Sequence, residues 1–214
     1  TLTRNGDGSF TLAQVDLVTY AFAAAGTLTR ISEPAGNQIA LAYAGPNLAR
    51  ITDTAGRVVR LTYDASNRLT AIEDPLGRRV TYAYDGAGRL ATATDRLGTA
   101  PGGAPAAHRW QYAYDGATRH LAGVTDPDGR IIVRNTYDAQ GRVVEQRDGL
   151  GARTTMAYGT LQTTLTDPRG HATTYTFDSR LRVLTQSDVV DAVTLALAYT
   201  YDAAGNLTSV TDRA

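Results

Sequence analysis

Apolar residues in this chain alternate with small or polar ones, and the alternation restarts at a nearly constant interval. The clearest runs are Ile39, Leu41, Tyr43; Val59, Leu61, Tyr63; Val80, Tyr82, Tyr84; Trp110, Tyr112, Tyr114; Tyr175, Phe177; and Leu197, Tyr199, Tyr201. Between them stand residues such as Arg79, Thr81 and Ala83, or Arg109, Gln111 and Ala113. A period of two predicts half-buried β-strands. A shorter strand follows each, pairing Leu48 with Ile51, Leu69 with Ile72, Leu121 with Val124 and Leu207 with Val210. A gap of three flips the phase of a period-two strand, so a β-bulge or a strand end is expected there.

The aromatic that closes each long strand sets the period. Units start near Phe22, Tyr43, Tyr63, Tyr84, Tyr114, Tyr137, Tyr158, Phe177 and Tyr201, most of them 19 to 24 residues apart. Within each unit an acidic residue precedes a glycine by three positions: Glu33 and Gly36, Asp53 and Gly56, Asp74 and Gly77, Asp95 and Gly98, Asp126 and Gly129, Asp148 and Gly151, Asp167 and Gly170. Asp188, with Asp191 in place of the glycine, breaks the rule. This is the composition of a tight turn, because Asp accepts a bond from an N–H two residues on and glycine tolerates positive φ. A second turn follows the aromatic in Tyr63-Asp64, Tyr84-Asp85, Tyr137-Asp138 and Tyr201-Asp202, with Asn67, Gly88, Gly141 and Gly205 at the left-handed position.

Each unit thus predicts a β-hairpin, and the chain an all-β fold of repetitive antiparallel hairpins in a long curved or spiralling sheet. About eight units would contribute some sixteen strands at ~4.8 Å spacing, a ribbon of about 75 Å. Two stretches depart from the period. Residues 1–20, with NGDG before Phe10 and Leu12, read as a leading hairpin, and residues 21–214 as the array. TAPGGAPAAH at 99–108 reads as a lengthened hairpin loop that accounts for the long step to Tyr114.

Composition narrows the chemistry. The formal net charge is zero, which disfavours nucleic acid or an anionic membrane as the main partner. All 21 basic residues are arginine, so neither a phosphate-loop lysine nor Schiff-base chemistry is available. The absence of cysteine excludes disulfides, thiolate nucleophiles and zinc-thiolate sites. No apolar run is long enough for a membrane helix, and TLTRNGDGSF is not a signal peptide. The expectation is a soluble chain whose export signal lies outside it.

No singular reactive constellation emerges. His108, His120 and His171 have no metal spacing and no recurrent Ser or Asp partner, and read as surface or turn residues. Asn5, Asp7 and Ser9, with Asp16, echo a calcium loop, but Phe10 stands where such a loop needs glycine. The expectation is no catalytic residue, no cofactor and no metal. Arginines after the turn glycines (Arg57, Arg78, Arg89, Arg130, Arg142) are expected to pair with Asp of neighbouring units. Rows of aromatics, among them Tyr82, Trp110 and Tyr112, could face carbohydrate, though period-two aromatics more often pack against a sheet.

The motif YDxxGRL…DxxG…YxYD resembles the YD-repeat, or Rhs, family. Tyr84-Asp85, Gly88-Arg89-Leu90, Asp95 and Gly98 carry the match, with equivalents at Tyr63, Tyr114-Asp115, Tyr137 and Tyr201, over about residues 20–214. At Phe22 and Tyr43 the signature Asp is replaced by Ala23 and Ala44, and the units at Tyr158 and Phe177 have drifted in the first turn. The resemblance implies a spiralling sheet that builds a hollow shell, as in bacterial Rhs polymorphic toxins, the C component of insecticidal toxin complexes, and teneurin ectodomains. In the toxins the shell encloses a C-terminal effector released by a self-cleaving segment containing DPxGL. Asp74-Pro75-Leu76-Gly77 comes close to that segment, but Arg78 replaces the leucine and the stretch reads as a turn. The implied function is a non-catalytic wall segment of a secreted or cell-surface bacterial protein. Its implied partners are the rest of the shell and a covalently linked cargo. The alternative is an adhesion or glycan-binding module. Unpaired strand edges predict edge-to-edge self-association of the isolated chain.

Overall fold

The computed structural model describes residues 1–99, 103–116, 119–190 and 193–212. Residues 100–102 of the expected loop insertion, and Asp191, fall outside the described residues. Among the described residues the fold is all-β apart from one short 3-10 turn, Pro105–His108. The chain divides into two compact units, Thr1–Trp110 and Gln111–Ala214.

The first unit holds β1 (Leu2–Arg4), β2 (Phe10–Ala13), β3 (Thr19–Phe22), β4 (Leu28–Ser32), β5 (Gln38–Ala44), β6 (Asn47–Asp53), β7 (Val58–Tyr63), β8 (Leu69–Glu73), β9 (Arg79–Tyr84) and β10 (Leu90–Thr94). Each pairs antiparallel with its neighbours in sequence, from β1–β2 through β9–β10. The leading hairpin uses the same turn as the array: Gly8 N–H bonds to Asn5 O and Asn5 N–H to Ser9 O. Its second strand, β2, pairs with β3 over four residues.

The second unit is built the same way. β11 (Arg109–Tyr114) crosses into it, followed by β12 (Leu121–Thr125), β13 (Ile131–Tyr137), β14 (Val143–Asp148), β15 (Arg153–Gly159), β16 (Gln162–Thr166), β17 (Ala172–Phe177), β18 (Val183–Val190), β19 (Val193–Tyr201) and β20 (Leu207–Asp212). These too form an antiparallel meander. The described residues form twenty strands, the leading hairpin β1–β2 and nine pairs from β3–β4 to β19–β20, against the eight units and sixteen strands expected of the array. Asp188 lies inside β18, where Thr173 donates to it at 2.6 Å, so no turn exists there.

The expected bulge occurs unit after unit at one place. Opposite Thr62 and Tyr63 stand Ala71 and Leu69, so Thr70 is the extra residue. The same one-residue slip separates Leu48 from Arg50, Leu121 from Gly123, Val143 from Glu145, Val183 from Thr185 and Leu207 from Ser209. It returns the aromatic and the leucine to one face despite the gap of three.

Burial among the described residues is shallow. Among the described residues the only buried hydrophobic residues are Ala71 and Ala198, and the only buried polar one is Thr94. None of the described large side chains is fully buried. In each unit, stability therefore rests on ladders, turns and contacts between successive strands, with no enclosed core to supply it.

Candidate functional site

The repeated feature is a five-residue turn, and its chemistry is the same wherever the sequence is intact. In Asp64–Arg68, Asn67 N–H bonds to Asp64 O at 3.0 Å and Asp64 N–H to Arg68 O at 2.9 Å. Asn67 takes φ 60. This is a type I turn followed by a left-handed residue, the favoured three-residue hairpin loop. The Asp64 carboxylate fills the loop: Oδ1 accepts from the N–H groups of Ser66 and Arg68 at 2.8 and 3.0 Å, and Oδ2 from Arg68 Nε at 2.7 Å. Asp85/Arg89, Asp138/Arg142 and Asp178/Arg182 repeat the arrangement. The backbone N–H of the arginine is the largest influence holding the Asp64, Asp85, Asp138 and Asp178 carboxyls below the usual value of 3.8. In Asp202–Asn206 an Asn side chain replaces the arginine.

The turns between units are built alike. Asp53, Asp74 and Asp148 each accept from the backbone N–H four residues on, and Gly56, Gly77 and Gly151 have positive φ. Asp74-Pro75-Leu76-Gly77 is one of these turns, with Arg78 Nε and N–H both on the Asp74 carboxylate. Gly129 takes φ 81 and bonds through its N–H to Asp126 O at 3.0 Å, and Gly170 takes φ 89 and bonds to Asp167 O at 3.0 Å. The Asp126 and Asp167 carboxylates accept from the N–H groups of Arg130 and His171, both at 2.8 Å. The turn at Gly129 departs from the others in its arginine: the Arg130 guanidinium lies 3.1 Å from Asp128 and 3.9 Å from Asp126. A second carboxylate inside that turn competes for the cation.

These geometries correct the expected arginine pairing. Arg57, Arg78, Arg89, Arg130 and Arg142 each pair with the aspartate of their own turn, four residues earlier. A loop that closes residue i against i+4 sets those two side chains opposite each other, so each arginine meets its own aspartate and not that of a neighbouring unit.

What reaches the neighbouring unit is tyrosine. Tyr84 donates its hydroxyl to Leu69 O at 2.8 Å while the Arg68 guanidinium lies 4.6 Å above its ring. Tyr158 does the same with Val143 O (2.7 Å) and Arg142 (4.3 Å), and Tyr201 with Val183 O (2.9 Å) and Arg182 (4.6 Å). Tyr63 donates to Leu48 O at 3.0 Å and Tyr137 to Leu121 O at 2.6 Å. The YDxxGRL motif is therefore a chain of contacts: Asp holds Arg, Arg caps the next Tyr, and that Tyr ties down the carbonyl beside Arg.

The histidines occupy arginine places in this scheme. His120, just before Leu121, stacks on Tyr137 with centroids 4.7 Å apart. His171 Nδ1 lies 3.5 Å from Asp167, and His108 Nδ1 lies 3.4 Å from Asp95. His108 and His171 thus each face an Asp, which corrects the expectation of no recurrent Asp partner. The pair Asp95 and Gly98 also departs from the expected turn. Gly98 N–H meets the Asp95 carboxylate at 3.3 Å instead of its carbonyl, and Asp95 N–H closes on His108 O across the inserted loop. At Asp115–Gly116 the closure is one residue longer than usual, Asp115 N–H to His120 O.

Tyr114 stands opposite Leu121 on β11, and Tyr82, Trp110 and Tyr112 are half-buried on their strands. Among the described residues no group of three or more His, Asp or Glu side chains is placed to hold a metal. A surface hollow of about 480 Å³ is lined by Glu33, Asn37, Gln38, Asp53, Thr54 and Arg57 among others. Its two carboxylates are already engaged, Glu33 by Asn37 and Asp53 by Arg57.

Fold and repeated clamp together define a β-hairpin repeat protein. The RHS repeat family model matches residues 44–75, 63–100 and 182–214, and over these stretches the chain is similar to RHS repeats. No curated protein matches the chain. Among solved structures it is similar to TcdB2-TccC3 without its hypervariable C-terminal region, at a TM-score of 0.59 and 14% identity over 96% of this chain and 12% of that one. It is also similar to TcdB2-TccC3-TEV, at a TM-score of 0.51 and 14% identity over 94% of this chain and 15% of that one. At such identities the likeness is one of fold, and this chain spans under a sixth of the length of either.

Proposed function

We propose that the chain is a structural, non-catalytic stretch of wall in a larger secreted bacterial toxin-type protein, where it helps enclose a covalently attached C-terminal cargo. The observation that carries the reading is the recurrence of one clamp: at Tyr84, Tyr158 and Tyr201 the turn aspartate, its arginine and the next tyrosine join one hairpin to the following one. Such a device extends a surface and uses its polar groups internally. The fold likeness to TcdB2-TccC3, one of whose structures lacks a hypervariable C-terminal region, supports the same reading. Edge strands β1 and β20, exposed along their length, suit pairing with further repeats.

The test is to express the entire reading frame that contains these repeats, image it by electron microscopy and digest it with a nonspecific protease. The reading expects a hollow particle whose C-terminal domain resists digestion until the wall is denatured. A solid or extended particle, or a C-terminal domain cut as fast as when free, would contradict it.

A second reading, glycan binding, draws on Tyr82 and Tyr112, whose hydroxyls make no hydrogen bond among the described residues. Glycan-array binding by the 214-residue chain, lost in Tyr82→Ala or Tyr112→Ala variants that still fold, would favour it over the wall.

A further inference from the structure

The face of the first unit opposite its tyrosines carries charge that the clamp does not use. Residues opposed across antiparallel strands point the same way, so the register assigns Arg30, Ala40, Ala42, Arg50, Thr52, Arg60 and Glu73 to one face. Arg50 stands directly opposite Arg60, and Arg60 directly opposite Glu73. Glu73 is engaged by Arg79 at 3.2 Å. Arg30, Arg50 and Arg60 are exposed and make no ion pair or hydrogen bond among the described residues. Other arginines of this unit, Arg57, Arg68 and Arg78, each hold a turn aspartate.

Like charges directly opposite on a sheet are destabilising, with Cβ atoms about 5 Å apart. Arg30 lies two strands from Arg50 and two residues off its row, about 12 Å away, across the small side chains of Ala40 and Ala42. The floor between the guanidinium groups is therefore low and open. From this arrangement we propose that the strip Arg30–Arg50–Arg60 is a docking surface for a short acidic polypeptide segment in extended conformation.

Three features select that occupant. Guanidinium forks match carboxylates in bidentate geometry. An extended peptide presents every second side chain on one side about 6.8 Å apart, a spacing that lets two or three carboxylates reach the three arginines. The strip is also short: Glu73 bounds it on one side, and the Thr11–Ala21 pair, which carries no charge, lies beyond Arg30 on the other. A nucleic acid or sulfated glycan draws its affinity from a longer track of cations. The inference does not depend on the shell reading, and its failure would leave that reading untouched.

The test uses the full 214-residue chain and a fluorescein-labelled peptide of alternating Glu and Ala, titrated by fluorescence polarisation at low salt. The peptide is expected to bind, to weaken as salt is added, and to lose about tenfold or more in affinity in the Arg50→Ala/Arg60→Ala double variant. Arg119→Ala/Arg169→Ala in the other unit makes the same change in net charge and should bind as the parent does. Arg50→Glu supplies a check against misfolding: it turns the opposed pair attractive, so it should melt no lower than the parent while binding peptide more weakly. Overturning results would be no binding by the parent, equal loss in both double variants, unchanged binding by Arg50→Glu, or tighter competition by heparin or DNA than by the peptide.

Discussion

Tyr158→Phe isolates the contact between one hairpin and the next. The substitution keeps the ring under the Arg142 guanidinium at 4.3 Å and removes only the hydroxyl that donates to Val143 O at 2.7 Å. A hydrogen bond of this kind contributes a net 0.5–1.5 kcal/mol, so a loss of about 1 kcal/mol is expected. Tyr158→Leu removes the aromatic face as well, adding roughly 0.5–1 kcal/mol for the lost cation–π contact. For a chain of this length, 1 kcal/mol corresponds to a fall in Tm of about 2–4 °C. Tyr43→Phe is the control, because Tyr43 makes no hydrogen bond among the described residues and is 37% exposed; it should leave Tm within about 1 °C. Thermal melts followed by circular dichroism read all three. If Tyr158→Phe melts with the Tyr43→Phe control, or Tyr158→Leu no lower than Tyr158→Phe, the tyrosine clamp does not join the hairpins.

Further outcomes test the turns. Gly77 and Gly141 both have φ +77, but a Cβ at Gly77 meets nothing within 4 Å while one at Gly141 falls 2.5 Å from His120 Cε1. Gly77→Ala should therefore cost about 1 kcal/mol for the left-handed backbone, and Gly141→Ala clearly more; equal costs in urea unfolding would show that His120 does not pack there. Leu181 sits at φ 61 with 72% exposure, so Leu181→Gly should stabilise by roughly 0.5–1 kcal/mol, and a lower urea midpoint would refute the strain. The turn carboxylates titrate below 3.8 in the folded chain, principally through the arginine N–H. A depressed carboxyl pKa confers stability that is present above the unfolded value and lost as pH falls through the folded one. Stability should accordingly hold from about pH 7 to about pH 5 and decline below about pH 4; a decline centred above about pH 5 would assign acid sensitivity to other groups.

The strand pattern and the bulges were legible because each depends on local spacing alone. Alternation ending at Tyr63 or Tyr84 places strands, and the three-residue gap from Leu69 to Ile72 forces the slip seen opposite Tyr63. The arginine partners follow from the residue that closes the turn: the four-residue step from Asp64 to Arg68 carries that signal, and the Asp64/Asn67 spacing alone does not. That step also marks Asp178/Arg182 as an intact turn, with Leu181 in the left-handed position, although the Phe177 unit departs from the motif. At Gly129 the turn glycine was legible from its spacing to Asp126, but the pull of Asp128 on Arg130 was not, since it depends on where the side chains lie. Asp95 and Gly98 looked regular, but the residues that follow Gly98 postpone closure to His108. The tyrosine hydroxyl bonds were beyond reach of the sequence, since they depend on which carbonyl the neighbouring strand presents.

Cross-strand Hα–Hα contacts measured by nuclear Overhauser spectroscopy on the labelled chain test most directly that each unit is a meander of neighbouring hairpins. The account predicts contacts restricted to chain-adjacent strands at the non-hydrogen-bonded pairs of the stated registers, such as Thr52 with Val58, Arg50 with Arg60, Glu73 with Arg79 and Thr166 with Ala172. Contacts between strands far apart in sequence, or the short-range pattern of helices across these segments, would contradict it.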